Sequence, residues 1–450
     1  MNKNLRIRKW IPLFIFISLL LIALPSCQDM NPEALEDILK PPREESTGEK
    51  IPPSDPADDE GNPEEVEPDP DPVEIQISAV GDIMVHSTQY KAQYDPSTDS
   101  YNFNNNFEFI KPYLENSHLA LANLETTFAG RERGYSGYPL FNTPDAMASA
   151  LKFAGFDIIS TANNHSLDMG EKGLLRTLSV LEEESLQAAG TRSTPEEKGF
   201  VIKDIEGIKV GVSAYTYETP RYQGKRTING IAMSPELEKL IDSFGYETLT
   251  EDLQAMEERV KEKKEKGAEL IIFYLHWGQE YQREPNSYQE EIAQALSDYG
   301  VDIIFGSHPH VLQPVEILEG EKGHQTLVVY SMGNFISNQR YEHLGTRYTE
   351  DGIIVNVSVK KDFVEDRVSL EEVSYVPTWV HRYDRGGRWV YEILPLVDAL
   401  GNKALFNLNR EDSIWRAQNS MENTLSILES RGIPVNLESP LPPETLETFK

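Results

Sequence analysis

The stretch Val301-Asp302-Ile303-Ile304-Phe305-Gly306-Ser307-His308-Pro309-His310 reads as a buried strand that ends in a glycine and a His-x-His pair. A short apolar run bounded by turn residues suits a strand covered on both faces. Working outward, other runs end in the same way. Ala79-Val80 leads into Gly81-Asp82-Ile83-Met84-Val85-His86, and Leu119 to Ala122 into Asn123-Leu124-Glu125. Ile158 to Thr161 leads into Ala162-Asn163-Asn164-His165-Ser166-Leu167-Asp168, and Ile271 to Leu275 into His276-Trp277-Gly278. Val328 to Tyr330 leads into Ser331-Met332-Gly333-Asn334. Val210 to Tyr215 is a further apolar run.

Amphipathic stretches lie between these runs: Asp145 to Ala154, Gly173 to Ala188, Glu251 to Lys266 and Tyr288 to Tyr299. Alternation of this kind predicts an α/β domain built from βαβ units over residues 74–337. Residues 338–400 alternate apolar and polar over Ile353 to Val359 and Val368 to Val376, the pattern of strands that complete the domain as a β-rich extension. Residues 401–450 read as a tail with one helix over Met421 to Leu428 and a loose Pro- and Glu-rich end.

The N-terminus is different material. Lys3, Arg6, Arg8 and Lys9 precede an apolar run from Ile11 to Leu24, and Leu24-Pro25-Ser26-Cys27 has the form of a lipobox. Residues 1–27 are therefore expected to be a lipoprotein signal peptide, with Cys27 carrying the lipid. This is the single cysteine of the chain, which excludes intrachain disulfides. Residues 28–73 are acidic, Pro-rich and free of aromatics, the composition of a disordered spacer. Extended, such a spacer reaches at most about 140 Å. The expected location is the extracellular face of the bacterial membrane, lipid-anchored. The formal net charge of -32 repels phosphate backbones, so nucleic acid is not an expected partner, and it disfavours direct adsorption to an anionic bilayer.

In open α/β sheets, sites gather at the carboxyl ends of strands. The Asp, Glu, Asn and His residues above are the types that hold divalent cations: imidazole suits zinc, iron or manganese, and carboxylate or amide oxygen suits harder ions. The glycines at 81, 278, 306 and 333 are read as permitting tight turns. His118, His324, His343 and His381 fall outside the pattern and are expected on surfaces or loops. His86 either lines the pocket or is structural.

Taken together, Gly81-Asp82-Ile83-Met84, Asn123-Leu124-Glu125, Asn163-Asn164-His165-Ser166-Leu167-Asp168, His276-Trp277-Gly278-Gln279-Glu280-Tyr281, His308-Pro309-His310-Val311-Leu312-Gln313-Pro314 and Tyr330 to Phe335 resemble the CapA family of bacterial capsule-synthesis, poly-γ-glutamate-associated proteins. That family resembles the calcineurin-like metallophosphoesterases. The resemblance implies a β-sandwich of two mixed sheets flanked by helices, with two divalent ions (manganese, zinc or iron) at one end. It implies Asp82, Glu125, Asn164, His276, His308 and His310 as metal ligands, Glu125 as the bridge between ions. His165, oriented by Asp168, becomes the catalytic group that stabilises charge or protonates a leaving group. Two departures stand out. Met84 replaces the histidine of the usual Asp-x-His block, leaving His86 or His310 to compensate. The acid partner of His165 is three residues on, at Asp168, on one face if Asp168 opens a helix. The implied function is a metal-dependent hydrolase in poly-γ-glutamate or capsule biosynthesis or export, acting on an anionic capsule polymer or a phosphorylated surface substrate. The alternative is a non-catalytic assembly or anchoring subunit beside membrane-embedded polymer synthase proteins.

Overall fold

The computed structural model describes residues 70–449. The expected signal peptide with Cys27, and nearly all of the acidic spacer, lie outside the described residues. Among those described, no helix is long and apolar enough to cross a membrane.

Two mixed sheets face each other. The first, nine-stranded among the described residues, is centred on Val73–Ile83. On one side of that strand lie Leu119–Leu124, Ile158–Ser160 and Gln187–Ala189, all parallel. On the other lie Asp351–Asp362, Arg367–Asp384 and Trp389–Pro395, all antiparallel. The second sheet has a parallel centre of Ile208–Tyr217, Leu270–His276, Ile303–Ser307 and Gln325–Val329. Antiparallel Val315–Glu319 and Phe200–Ile205 add to it.

The central strands are apolar throughout because both faces are covered. Period-two alternation divides their side chains between layers. Ile75, Ile77, Leu119, Leu121, Leu270, Ile272, Ile303 and Phe305 fill the space between the sheets. Ile271, Phe273, Leu275 and Ile304 point outward and pack against Leu253, Met256 and Val260 of the helix Leu249–Glu265 and Ile292 and Leu296 of the helix Ser287–Asp298. On the outer face of the first sheet, Val80, Ala120, Ala122 and Ile159 meet Met147, Leu151, Val180 and Leu181 from the helices Ala146–Ala154 and Gly170–Glu183. The Tyr274 hydroxyl donates to the Val80 carbonyl, tying the two sheets together near the end where the polar residues emerge.

Several elements differ from expectation. The segment expected to be helical to Ala188 ends at Glu183 and returns as the strand Gln187–Ala189. The second of the late strands runs on to Asp384. The tail is part of the fold: its helix spans Glu411–Leu428, buries Ser413, Ala417, Ser420, Thr424, Ile427 and Leu428, and Asn436–Leu437 pairs with the strand Arg367–Asp384. Small and hydroxylated residues on the inward face hide that helix from a hydrophobicity reading. His381 is neither on the surface nor in a loop. It is 2 % exposed on the strand Arg367–Asp384, with its ring 5.0 Å from Trp379 and 4.7 Å from Tyr383, and burial lowers its pKa to about 4.

Candidate metal centre

The parallel strands of both sheets deliver their carboxyl ends to one pole. Asp82 stands on Val73–Ile83, Glu125 follows Leu119–Leu124, His276 closes Leu270–His276, and His308 and His310 follow Ile303–Ser307. Backbone approach at this pole is very close. A Cβ on Gly81 would lie 1.9 Å from the Gly333 carbonyl oxygen, and one on Gly306 would lie 2.0 Å from that of Tyr330. These two glycines therefore serve close strand contact rather than turns, whereas Gly278 and Gly333 do adopt positive φ. His308 and His310 themselves have φ of 94° and 57°, a left-handed backbone that side-chain-bearing residues seldom adopt without a compensating role.

Glu125 is the centre of the cluster. Its Oε1 lies 3.6 Å from His276 Nε2, 3.7 Å from His310 Nε2 and 4.0 Å from His165 Nε2. Both of its carboxylate oxygens are buried without a hydrogen-bond partner. Burial, with the charges of Asp82 and Glu280 beside it, pushes the Glu125 carboxyl well above its ordinary range. His276 and His308 are pushed well below theirs, first by burial and then by neighbouring imidazoles. The Nδ1 of His308 is also buried and unpartnered. A buried carboxylate with both oxygens unpartnered, set among close-packed imidazoles, is costly unless a cation joins them. Three ligand sets converge within 4.8 Å: Glu125, His276 and His308; Asp82, Glu125 and His310; Glu280, His308 and His310. Glu125 belongs to the first two, as a bridging carboxylate would. The donor set thus fits divalent cations.

Surrounding contacts fix the rings. Asp82 Oδ2 lies 2.9 Å from His310 Nδ1 and accepts the His308 backbone N–H at 3.3 Å, while Asp82 Oδ1 accepts from Asn123 Nδ2 at 2.9 Å. His276 Nδ1 is 3.0 Å from Ser307 Oγ, and its Nε2 is 3.0 Å from Asn164 Oδ1, so an amide oxygen and an imidazole nitrogen stand side by side. Tyr217 stacks on His276 at 6.3 Å between ring centres. His165 Nδ1 lies 2.8 Å from Asp168 Oδ2, which also accepts the Phe141 N–H at 2.6 Å. The helix begins at Gly170, so a turn rather than a helical face brings Asp168 to His165.

Every ligand and catalytic candidate from the sequence arrives at this pole; Cys27 lies outside the described residues. Met84 is buried and contributes a thioether to a neighbouring cavity. The imidazole beside Asp82 is His310; His86 lines that same cavity, outside the convergent ligand sets. Sequence reasoning missed Glu280 as a ligand candidate, and Asn123 and Tyr217 as supports. The sign for Glu280 was its place four residues past His276. Gln313 holds that loop, donating to the carbonyls of Gln282 at 2.9 Å and Glu284 at 3.0 Å.

Comparison with known proteins gives the family. The chain is 28% identical over 293 residues to the PGA biosynthesis protein CapA of Bacillus subtilis, covering 64% of this chain and 68% of that one. It is 28% identical over 295 residues to the capsule biosynthesis protein CapA of Bacillus anthracis, covering 64% of each. The chain thus spans about two thirds of the length of these curated relatives. Among solved structures, a novel phosphatase from Mycoplasma pneumoniae aligns with a TM-score of 0.38 at 16% identity, over 68% of this chain and 93% of that one. Residues 76–339, more than half of the chain, match the family described as bacterial capsule synthesis protein PGA_cap, and the chain belongs to that family.

Proposed function

We propose that this chain is a metal-dependent hydrolase of phosphoesterase type, lipid-anchored through Cys27 at the extracellular face of the membrane, that serves the making or export of a poly-γ-glutamate or related capsule polymer. The observation that carries the hydrolase reading is Glu125: a buried, unpartnered carboxylate within 4.0 Å of three imidazoles and shared between two ligand sets. Asp82, Glu125, Asn164, His276, His308 and His310 would hold two divalent ions, with Glu280 as a further donor at the open side. When bound, such ions supply Lewis-acid charge and lower the pKa of water.

The chain's own residues do the rest. Asp82 orients His310 through Nδ1, leaving Nε2 toward Glu125. Asp168 accepts a hydrogen bond from the Nδ1–H of His165, which leaves the Nε2 lone pair to accept a proton at the cluster and then deliver it. Its partner is acceptor-only, so that tautomer is set by the fold. The capsule role comes from the names of the Bacillus relatives, with membrane-embedded synthase subunits and the anionic polymer as the partners proposed. Elemental analysis of the purified full chain, followed by assay with manganese, zinc or iron on phosphoesters and on poly-γ-glutamate, tests the hydrolase reading. A protein that retains no metal after reconstitution defeats it.

A second reading is a non-catalytic assembly subunit. Met84 favours it, because a thioether stands where an imidazole would complete an Asp-x-His block. Replacing the gene with a His308→Ala version separates the readings: full restoration of capsule means that chemistry at this site is not needed.

A further inference from the structure

Beside the cluster lies a cavity of about 430 Å³ that shares His165, Glu280 and His310 with it. Its walls combine apolar surface with neutral polar groups. Met84, Tyr138, Tyr281 and Leu344 supply apolar surface. Ser87, Thr88, Asn338 and Gln339 supply hydroxyls and amides, which are neutral at every ordinary pH. No lysine or arginine lines it, and Glu280 is its one carboxylate. Arg382, close by, is already committed: it donates to Asn338 Oδ1 at 2.9 Å and pairs with Glu342 at 3.7 Å. His86 is committed as well, its Nδ1 accepting the Asn338 backbone N–H at 3.2 Å, and His343 lines the cavity on its exposed side.

We infer that this cavity is the subsite for the uncharged portion of a substrate whose single anionic group lies at the Glu125 cluster. The inference rests on the hydrolase reading and adds a substrate class to it: an ester of a neutral, partly apolar alcohol or phenol. A group carrying its own carboxylate meets Glu280 and no lysine or arginine, so desolvating it there is unfavourable. Apolar walls with a few neutral hydrogen-bonding groups are the usual lining for a neutral ligand portion. A polymer with a carboxylate on every residue therefore does not thread this cavity. Met84 has a direct part in this, because its thioether gives the cavity an apolar wall.

The test compares phenyl phosphate with 2-phosphoglycolate on the manganese-loaded full chain at pH 8. The wild type is expected to favour phenyl phosphate by at least ~10-fold in kcat/KM, the scale of one unpaired buried charge. Leu344→Lys, which puts a cation in place of an apolar wall residue, is expected to lower KM for 2-phosphoglycolate by ~5-fold and to raise KM for phenyl phosphate, so that the preference narrows or reverses. Equal rates on the two esters, or preference for the carboxylate-bearing one, overturn the inference while leaving the hydrolase reading intact. If neither ester is cleaved, the hydrolase reading is what fails. Calorimetric titration of the same two compounds then decides the subsite: tighter binding of phenyl phosphate supports it, and equal or reversed affinity overturns it.

Discussion

His165 and Asp168 face each other across a single turn, Nδ1 to Oδ2 at 2.8 Å, and the same carboxylate oxygen is pinned by the Phe141 N–H. An isosteric amide at 168 keeps the shape and removes the charge that selects the His165 tautomer. Asp168→Asn is therefore expected to lower kcat by ~10²-fold or more with little change in KM. Metal content should match the wild type, because neither residue belongs to a convergent ligand set. Steady-state kinetics with parallel elemental analysis check this; an unchanged kcat removes His165 from proton transfer.

Glu125→Gln separates folding from metal binding by sign. In chelator-treated protein the buried carboxylate beside Asp82 is a liability, so the amide is expected to raise stability by ~1–3 kcal/mol. With manganese present the order should reverse, since the wild type gains binding free energy that the variant has lost. Thermal melts with chelator and with manganese report both arms. A variant that melts lower in both conditions refutes the assignment of Glu125 as a cation ligand.

Lys263 is a second buried ionisable group, remote in sequence from the cluster. It is 0 % exposed on the helix Leu249–Glu265, its Nζ has no hydrogen-bond partner, and it sits 4.2 Å from the centre of the Phe273 ring. Burial, with Arg259 nearby, holds its pKa well below 10.5, partly opposed by Asp302 and Asp242. The unfolded chain then binds this proton more readily than the folded one. Stability from this group accordingly rises with pH up to the unfolded value and falls on acidification. Lys263→Met should stabilise the protein at pH 7 by ~1–3 kcal/mol, and the gap should narrow toward pH 10. Urea titrations at pH 7 and pH 10 measure it; a constant gap means the lysine is charged in the fold.

Gly81→Ala tests the close strand contact behind Asp82. Its Cβ would lie 1.9 Å from the Gly333 carbonyl oxygen, and the partner there is backbone, which cannot swing away. The expected cost is about 3 kcal/mol or more, with loss of metal binding as Asp82 is displaced. Urea unfolding and metal stoichiometry report the two effects. A variant as stable as the wild type would mean that the two strands can separate here freely.

The strand-end pattern was legible because the central strands, Val73–Ile83 and Leu270–His276 among them, are covered on both faces and so appear as unbroken apolar runs with an abrupt polar end. The convergence of Asp82, Glu125, Asn164, His276, His308 and His310 followed from that topology. Glu280 was hidden because its position depends on a loop stapled by Gln313, a hydrogen bond that leaves no periodic trace. The helix Glu411–Leu428 was seen only in its last two turns, since Ser413, Ala417, Ser420 and Thr424 face inward without hydrophobic signal. His381 was misplaced for a related reason: it is buried by stacking between aromatic neighbours two residues away on either side, which the spacing of histidines alone does not reveal.

The first strand also sets a direction. It enters at Val73, paired with Lys361 beside the turn that joins Asp351–Asp362 to Arg367–Asp384, and leaves at the cluster with Asp82. Nine residue steps of extended chain separate those points, about 30 Å. The chain therefore enters the first sheet at the pole opposite the cluster. The ligand-bearing pole is thus the end of the sandwich remote from the point where the chain enters it.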